Sequence, residues 1–187
     1  METKQIDALH NHPAIAAHTM GYLAVPEDRI LRVLYNSHLV ENLRDFEVNV
    51  LAGLFTIQHF EVGELAAETD DSLKNNLMIL VDGELEVNAM VGNESVMLHL
   101  KTPGDLARII SFVGGDIINI SARITVRKKS AVLLLHRSML ESLLHTHPSI
   151  VYCVMRNLVQ HVHGVARRKN AENKELSNYV YRMNGRY

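Results

Sequence analysis

The chain has 187 residues, 47% of them hydrophobic and 21% charged, with 19 basic against 21 acidic side chains. A chain of this length forms one domain with appendages and needs no staples; its near-neutral balance argues against a basic nucleic-acid groove or attraction to an anionic membrane. The single cysteine, Cys153, excludes an internal disulfide and fits the reducing cytoplasm, no run approaches the ~18 apolar residues of a membrane span, and the mixed polar start after Met1 is not expected to be a secretory leader.

Residues 1–24 show weak periodicity and read as a loosely docked arm. Pro26 opens a helix with Glu27 and Asp28 in its first turn, where the dipole favours acids, and Ile30, Leu31, Val33 and Leu34 carry it to about Asn36. Residues 1–37 are therefore an N-terminal arm and helix. A second helical segment is expected from about Leu39 to Leu54. Strand signals then recur at short spacing over a region bounded at 38–147: Phe55–Phe60, Leu65–Glu68, a loop at Asp70–Ser72, and two tight hairpins. The first hairpin would turn at Asp82-Gly83, a dipeptide suited to a type I′ turn, and the second at Gly92–Ser95. Glu84 and Glu86 share a face that reads as solvated. Ser121–Arg127 alternates with Ala122, Ile124 and Val126 inward, Lys128–Ser130 turns the chain, and Ala131–Leu135 is a wholly buried strand. Ser138 and Glu141 have capping-box spacing. Pro148 opens a long helix, 148–176, in which Val151, Met155, Leu158, Val162 and Val165 step by 4, 3, 4 and 3, a heptad seam suited to a homodimer. The tail, 177–187, has no legible structure. The fold class is α+β: an antiparallel β-roll or jelly roll flanked by helices.

This order of elements resembles the cyclic nucleotide-binding domain of catabolite-activator-like regulators. The matching words are Phe60–Glu64, Met78–Val87, Pro103-Gly104-Asp105 and Leu133–Pro148, which together span roughly residues 38–165. The resemblance implies a double-stranded β-helix roll, no enzymatic activity, no required cofactor, and a possible nucleotide ligand. In that family a Gly-Glu-Leu after the Pro-Gly-Asp turn supplies a glutamate to the ribose, and an Arg-Ser-Ala or Arg-Thr-Ala supplies an arginine to the cyclic phosphate. Here those places are taken by Arg108, Ile109 and Ile110, followed by Ser111, and by Ile120, Ser121 and Ala122, followed by Arg123. A second register sets Gly104-Asp105-Leu106 against Gly-Glu-Leu and still lacks the arginine. Losing both side chains removes about 3–5 kcal/mol of binding, which disfavours tight binding of cyclic AMP or cyclic GMP unless Arg108 or Arg123 substitutes.

Three His-x-His pairs, His10/His12, His145/His147 and His161/His163, raise a metal reading. A metal-binding roll needs such a pair on a strand, with a carboxylate a few residues on and another histidine facing it; the first pair sits near the terminus, the second flanks a helix–helix junction, and the third lies about 200° apart around a helix and cannot share an ion, so no metal is expected. Cys153 sits among apolar neighbours without a nucleophile's setting. DNA-binding members of the family carry a helix-turn-helix after the long helix, and the twelve residues that follow Glu175 cannot form one. The functional expectation is a stand-alone, dimeric ligand-sensing regulator. The alternatives are an interaction protein with a defunct pocket that meets a partner protein through its helix seam, or weak cyclic-nucleotide binding through backbone amides and a substitute arginine.

Overall fold

The computed structural model describes residues 27–67, 75–91, 94–114 and 122–184. The expected arm at 1–24, the loop at Asp70–Ser72, the turn at 92–93, and Ile120 and Ser121 lie outside them. The chain runs through α1 (Glu27–Asn36), a 3-10 turn (His38–Val40), α2 (Asp45–Ala52), β1 (Thr56–Phe60), β2 (Leu65–Ala67), β3 (Asn76–Val91), β4 (Glu94–Leu100), β5 (Leu106–Ala107), α3 (Ile109–Gly114), β6 (Ala122–His136), α4 (Arg137–Glu141) and α5 (Pro148–Asn184). The α+β class and the antiparallel roll are as expected.

Two long strands organise the molecule. β3 and β6 pair antiparallel from Asn76↔His136 to Ala89↔Ala122. One half of this ribbon is flanked by β1, which pairs Thr56↔Leu134, and by β5, which pairs Met78↔Ala107. The other half is flanked by β2 (Leu65↔Thr125) and β4 (Leu85↔Leu100).

The hairpin expected at Asp82-Gly83 does not form. Residues on both sides of that dipeptide pair with β6, and the register shifts between Leu80, Asp82, Glu84 and Leu85. Asp82-Gly83 is thus a bulge inside a continuous strand, and the expected turn at Lys128–Ser130 is its counterpart inside β6. A local turn would have given residues 77–81 one partner strand; the open ribbon gives them two, β6 and β5. Gly83 is required at φ 99°: a Cβ there would lie 2.2 Å from Ser130 Oγ and 2.5 Å from the Lys129 carbonyl oxygen. Ser130 Oγ accepts from the Glu84 amide at 3.1 Å and donates to the Lys128 carbonyl at 2.6 Å, closing the bulge. The second hairpin is present, with β3 and β4 in register from Leu85↔Leu100 to Val91↔Glu94.

The apolar runs Leu77–Val81 and Ala131–Leu135 split by the strand period of two. Leu77, Ile79, Val81, Ala131, Leu133 and Leu135 face the helices, against Leu34, Leu39, Val48, Leu51, Ile150, Val154 and Leu158. Met78, Leu80, Val132 and Leu134 face the roll interior with Phe60, Leu85, Ile124 and Val126. The buried strand at Ala131–Leu135 and the inward Ile124 and Val126 match expectation.

Three helical boundaries differ from the sequence reading. The segment 39–54 is broken: Ser37 Oγ accepts from the Leu39 amide at 3.3 Å, Asn42 is left-handed at φ 65°, and α2 starts at Asp45. Ser138 does not cap its helix, because the helix begins one residue earlier and His136 Nδ1 accepts from the Ser138 amide at 3.3 Å. α5 runs 37 residues to Asn184, past the expected end near 176.

Candidate functional site

Pro103-Gly104-Asp105 anchors the site to the helices. Gly104 has φ 101°, and a Cβ on it would lie 2.8 Å from the Asn36 carbonyl, so only glycine lets the turn reach the end of α1. The Gly104 amide donates to the Leu80 carbonyl at 2.8 Å and the Leu80 amide to the Asp105 carbonyl at 2.9 Å. The Asp105 carboxylate accepts from the Lys101 and Thr102 amides, both at 2.9 Å, and so serves the turn itself.

Beyond the two-residue β5 comes Arg108, half-buried and left-handed at φ 63°. A side chain in that region costs about 1–2 kcal/mol, and such strain gathers where the surroundings fix a conformation. α3 follows at once, its Phe112 amide donating to the Arg108 carbonyl at 3.0 Å. Ile109 and Phe112 are buried in the helix-side core, Ser111 is half-buried, and Ile110 is exposed.

Ile109, Ile110, Val113 and Gly114 of α3 face Leu158, Val159, Val162 and His163 of α5 across an apolar groove of about 290 Å³. Ligand candidates (Ile109, Ile110) and seam candidates (Leu158, Val162), kept apart by the sequence reading, therefore meet in one place. Ala122 and Arg123 sit elsewhere, at the start of β6 opposite Ala89 and Asn88, with Arg123 exposed and Ala122 half-buried, as strand alternation requires. Of the seam, Leu158 is fully buried in its own chain's core, while Val151, Met155, Val162 and Val165 are half-buried. The core stripe of α5 is Ile150, Val154 and Leu158: the first two lie one residue before the seam's Val151 and Met155, and the stripe meets the seam at Leu158.

Polar groups that sequence reasoning passed over hold the site's frame. Glu86 is buried, not solvated: Arg127 grips it with two bonds of 2.7 and 2.9 Å, and Asn88 adds one of 3.0 Å. The Arg127 guanidinium, then the Asn88 amide, hold its carboxyl below the usual carboxylate range. Glu84, mostly shielded, meets Lys128 at 2.9 Å and Lys101 at 3.0 Å, and these ammonium groups draw its pKa down to about 2. The signal for both was the basic run Arg127-Lys128-Lys129, legible only once β3 and β6 are paired. At the start of α5, Ser149 Oγ donates to Glu47 Oε1 at 2.9 Å. Glu47 also takes the Arg44 guanidinium and amide, and these contacts, the guanidinium first, lower its pKa to about 2. Further along α5, the buried Asn157 donates to the carbonyls of Leu39 (3.0 Å) and Glu41 (2.7 Å).

His145 and His147 flank the α4–α5 junction, and His161 packs on His38 rather than pairing with His163. His10 and His12 lie outside the described residues. Among the described residues no three His, Cys, Asp or Glu side chains are placed to hold a metal ion, and no helix is long and apolar enough to cross a membrane.

No family model matches the sequence, and no curated protein matches it. Solved structures do. A cyclic nucleotide-binding domain from Methylobacillus flagellatus superimposes with TM-score 0.62 at 19% identity, covering 81% of this chain and 83% of its own. The catabolite activator protein of Thermus thermophilus gives 0.58 at 22%, covering 75% of this chain and 63% of its own. The regulatory domain of Toxoplasma gondii PKA, crystallised with cAMP, gives 0.50 at 20%, covering 62% of this chain and 43% of its own. The chain has the fold of the cyclic nucleotide-binding domains.

Proposed function

We propose that this chain is a non-enzymatic regulatory module that senses a small ligand beside α3 and passes the signal to α5, working as a homodimer in the cytoplasm. The observation that supports this is the packing of α3 on α5. Arg108–Ser111 lead into and begin α3, and Ile109 and Ile110 share an apolar groove with Leu158, Val159 and Val162. A ligand seated on that segment acts on the surface against which α5 rests; the second candidate stretch, Ala122 and Arg123 with Ile120 and Ser121 before them in sequence, lies away from α5 and would bind the other end of such a ligand or none. Such a ligand signals by favouring one α5 position over another.

The ligand class is a nucleotide or a less charged relative of one. One similar structure holds cAMP, but Ile120 stands where the sequence resemblance implies a phosphate-binding arginine, which leaves Arg108 and Arg123 as candidate substitutes. Dimerisation rests on Val151, Met155, Val162 and Val165, which keep part of their surface exposed, with Tyr152 (65% exposed) and Val159 (45%) beside them. The free Cys153 accords with a reducing compartment.

Thermal melts with a panel of cyclic and linear nucleotides test the ligand. One present at a hundred times its dissociation constant stabilises the protein by about 2.7 kcal/mol, a shift of several degrees; a flat panel overturns the nucleotide reading in favour of a partner-binding module. For the dimer, Met155→Lys halves the mass in sedimentation equilibrium, and identical masses for wild type and variant reject the seam.

A further inference from the structure

The short segment Ser37–Glu41 is wedged between two parts of the proposed signalling path. On one side Gly104 of the Pro-Gly-Asp turn presses on Asn36 and Ser37. On the other, α5 grips it twice: Asn157 bonds the Leu39 and Glu41 carbonyls, and one helical turn later the His161 ring packs on the His38 ring, centroids 5.4 Å apart and tilted by 47°. The first grip is a pair of hydrogen bonds indifferent to pH. The second joins two imidazoles, groups that gain charge near neutral pH. We propose that the His38–His161 contact is a proton-sensitive latch, which holds α5 against residues 37–41 at neutral pH and loosens it in acid.

The charges around His161 fix the sign. His161 is half-buried. Burial, then the His38 ring, then Arg168 on α5 itself disfavour its charged form, while Asp105 of the turn and Glu41 after the 3-10 turn favour it; the net effect lowers its pKa below the ordinary 6.5. His38 is exposed, and Glu41 Oε1 bonds its Nδ1 at 2.5 Å. A free His161 therefore binds a proton at a higher pH than a latched one. The latch is at full strength above pH 6.5, weakens as pH falls from 6.5 to the lowered value, and levels off below it. The Asn157 bonds remain, so α5 swings from that point rather than detaching. The link to signalling rests on the proposed sensing role; the latch itself does not.

Amide hydrogen exchange on the ligand-free full chain tests it, with residues 157–165 of α5 read against 77–81 of β3 and intrinsic exchange rates corrected. Between pH 7.5 and 5.5 the opening constant of the α5 amides rises severalfold, in the direction set by the lowered His161 pKa, while the strand stays constant. His161→Gln abolishes the rise. His38→Gln, altering an exposed ring, removes the second cause and leaves burial, so it diminishes the rise and covers the case in which the first variant is unstable. A rise of equal size in both variants, or none in the wild type, overturns the latch. Because no ligand enters the experiment, its failure leaves the nucleotide melts as an independent test of the sensing role.

Discussion

β3 and β6 are two different structures along their length. At Leu77–Val81 against Ala131–Leu135 every side chain is buried, odd positions among the helices and even positions inside the roll. Past the bulge at Asp82-Gly83, Leu85, Ile124 and Val126 still face the roll interior, but the opposite face carries Glu84 and Glu86 with their lysine and arginine partners. One half is a wall between two cores. The other is a rim with one dry face and one charged face, and Ala122 and Arg123 stand at its far end. The ribbon thus passes from a doubly buried wall to a half-charged rim along a single pair of strands, and the bulge is the boundary.

That division is testable by matched truncations. Leu133→Ala, in the wall, loses a fully buried side chain among helices and costs about 3–4 kcal/mol. Val87→Ala, on the half-buried interior of the rim, costs about 1 kcal/mol. Urea denaturation at fixed protein concentration reads both, and equal midpoint shifts would erase the distinction. Gly83→Ala strikes the boundary itself. It forces a side chain to φ 99° and sets a methyl group within 2.5 Å of both Ser130 Oγ and the Lys129 carbonyl, for a cost of about 2–3 kcal/mol. A neutral Gly83→Ala would show that the bulge can flatten and that the two halves are one.

The wall is legible in the sequence because uninterrupted apolar runs of strand length mean burial on both faces. The alternation at Ala122–Arg127 and Val96–Leu100 exposes the rim's dry face for the same reason. The bulge is not legible. Asp82-Gly83 has the local signature of a hairpin turn and also of a bulge, and only the partner strand more than forty residues later decides between them. Glu84 and Glu86 read as solvated from the same cause, since their neutralising cations arrive from β6 and from Lys101. On α5 the heptad count is correct as arithmetic, but the chain's own core takes Ile150, Val154 and Leu158, sharing only Leu158 with the counted set and leaving the other four half-exposed. Of the candidate site, the Pro-Gly-Asp turn and the short helix after it are readable as a motif. The left-handed backbone at Arg108 is not, because no residue type announces it.

The smallest expected effect probes the charged face of the rim. Glu84 has a pKa of about 2 in the folded chain against an ordinary 4.5, held down by Lys128 and then Lys101. A depressed carboxylate stabilises the fold above its ordinary pKa and loses that contribution as pH falls toward the folded value. The difference in melting temperature between wild type and Glu84→Gln is therefore steady above pH 4.5 and closes between pH 4.5 and about 2. Reading the difference, rather than the wild type alone, cancels the parallel acid losses of Glu47 and Glu86, whose carboxyls are also held low. A gap that does not change with pH would mean that Glu84 serves by packing alone, and that the rim's outer face is held by shape as the wall is, not by charge.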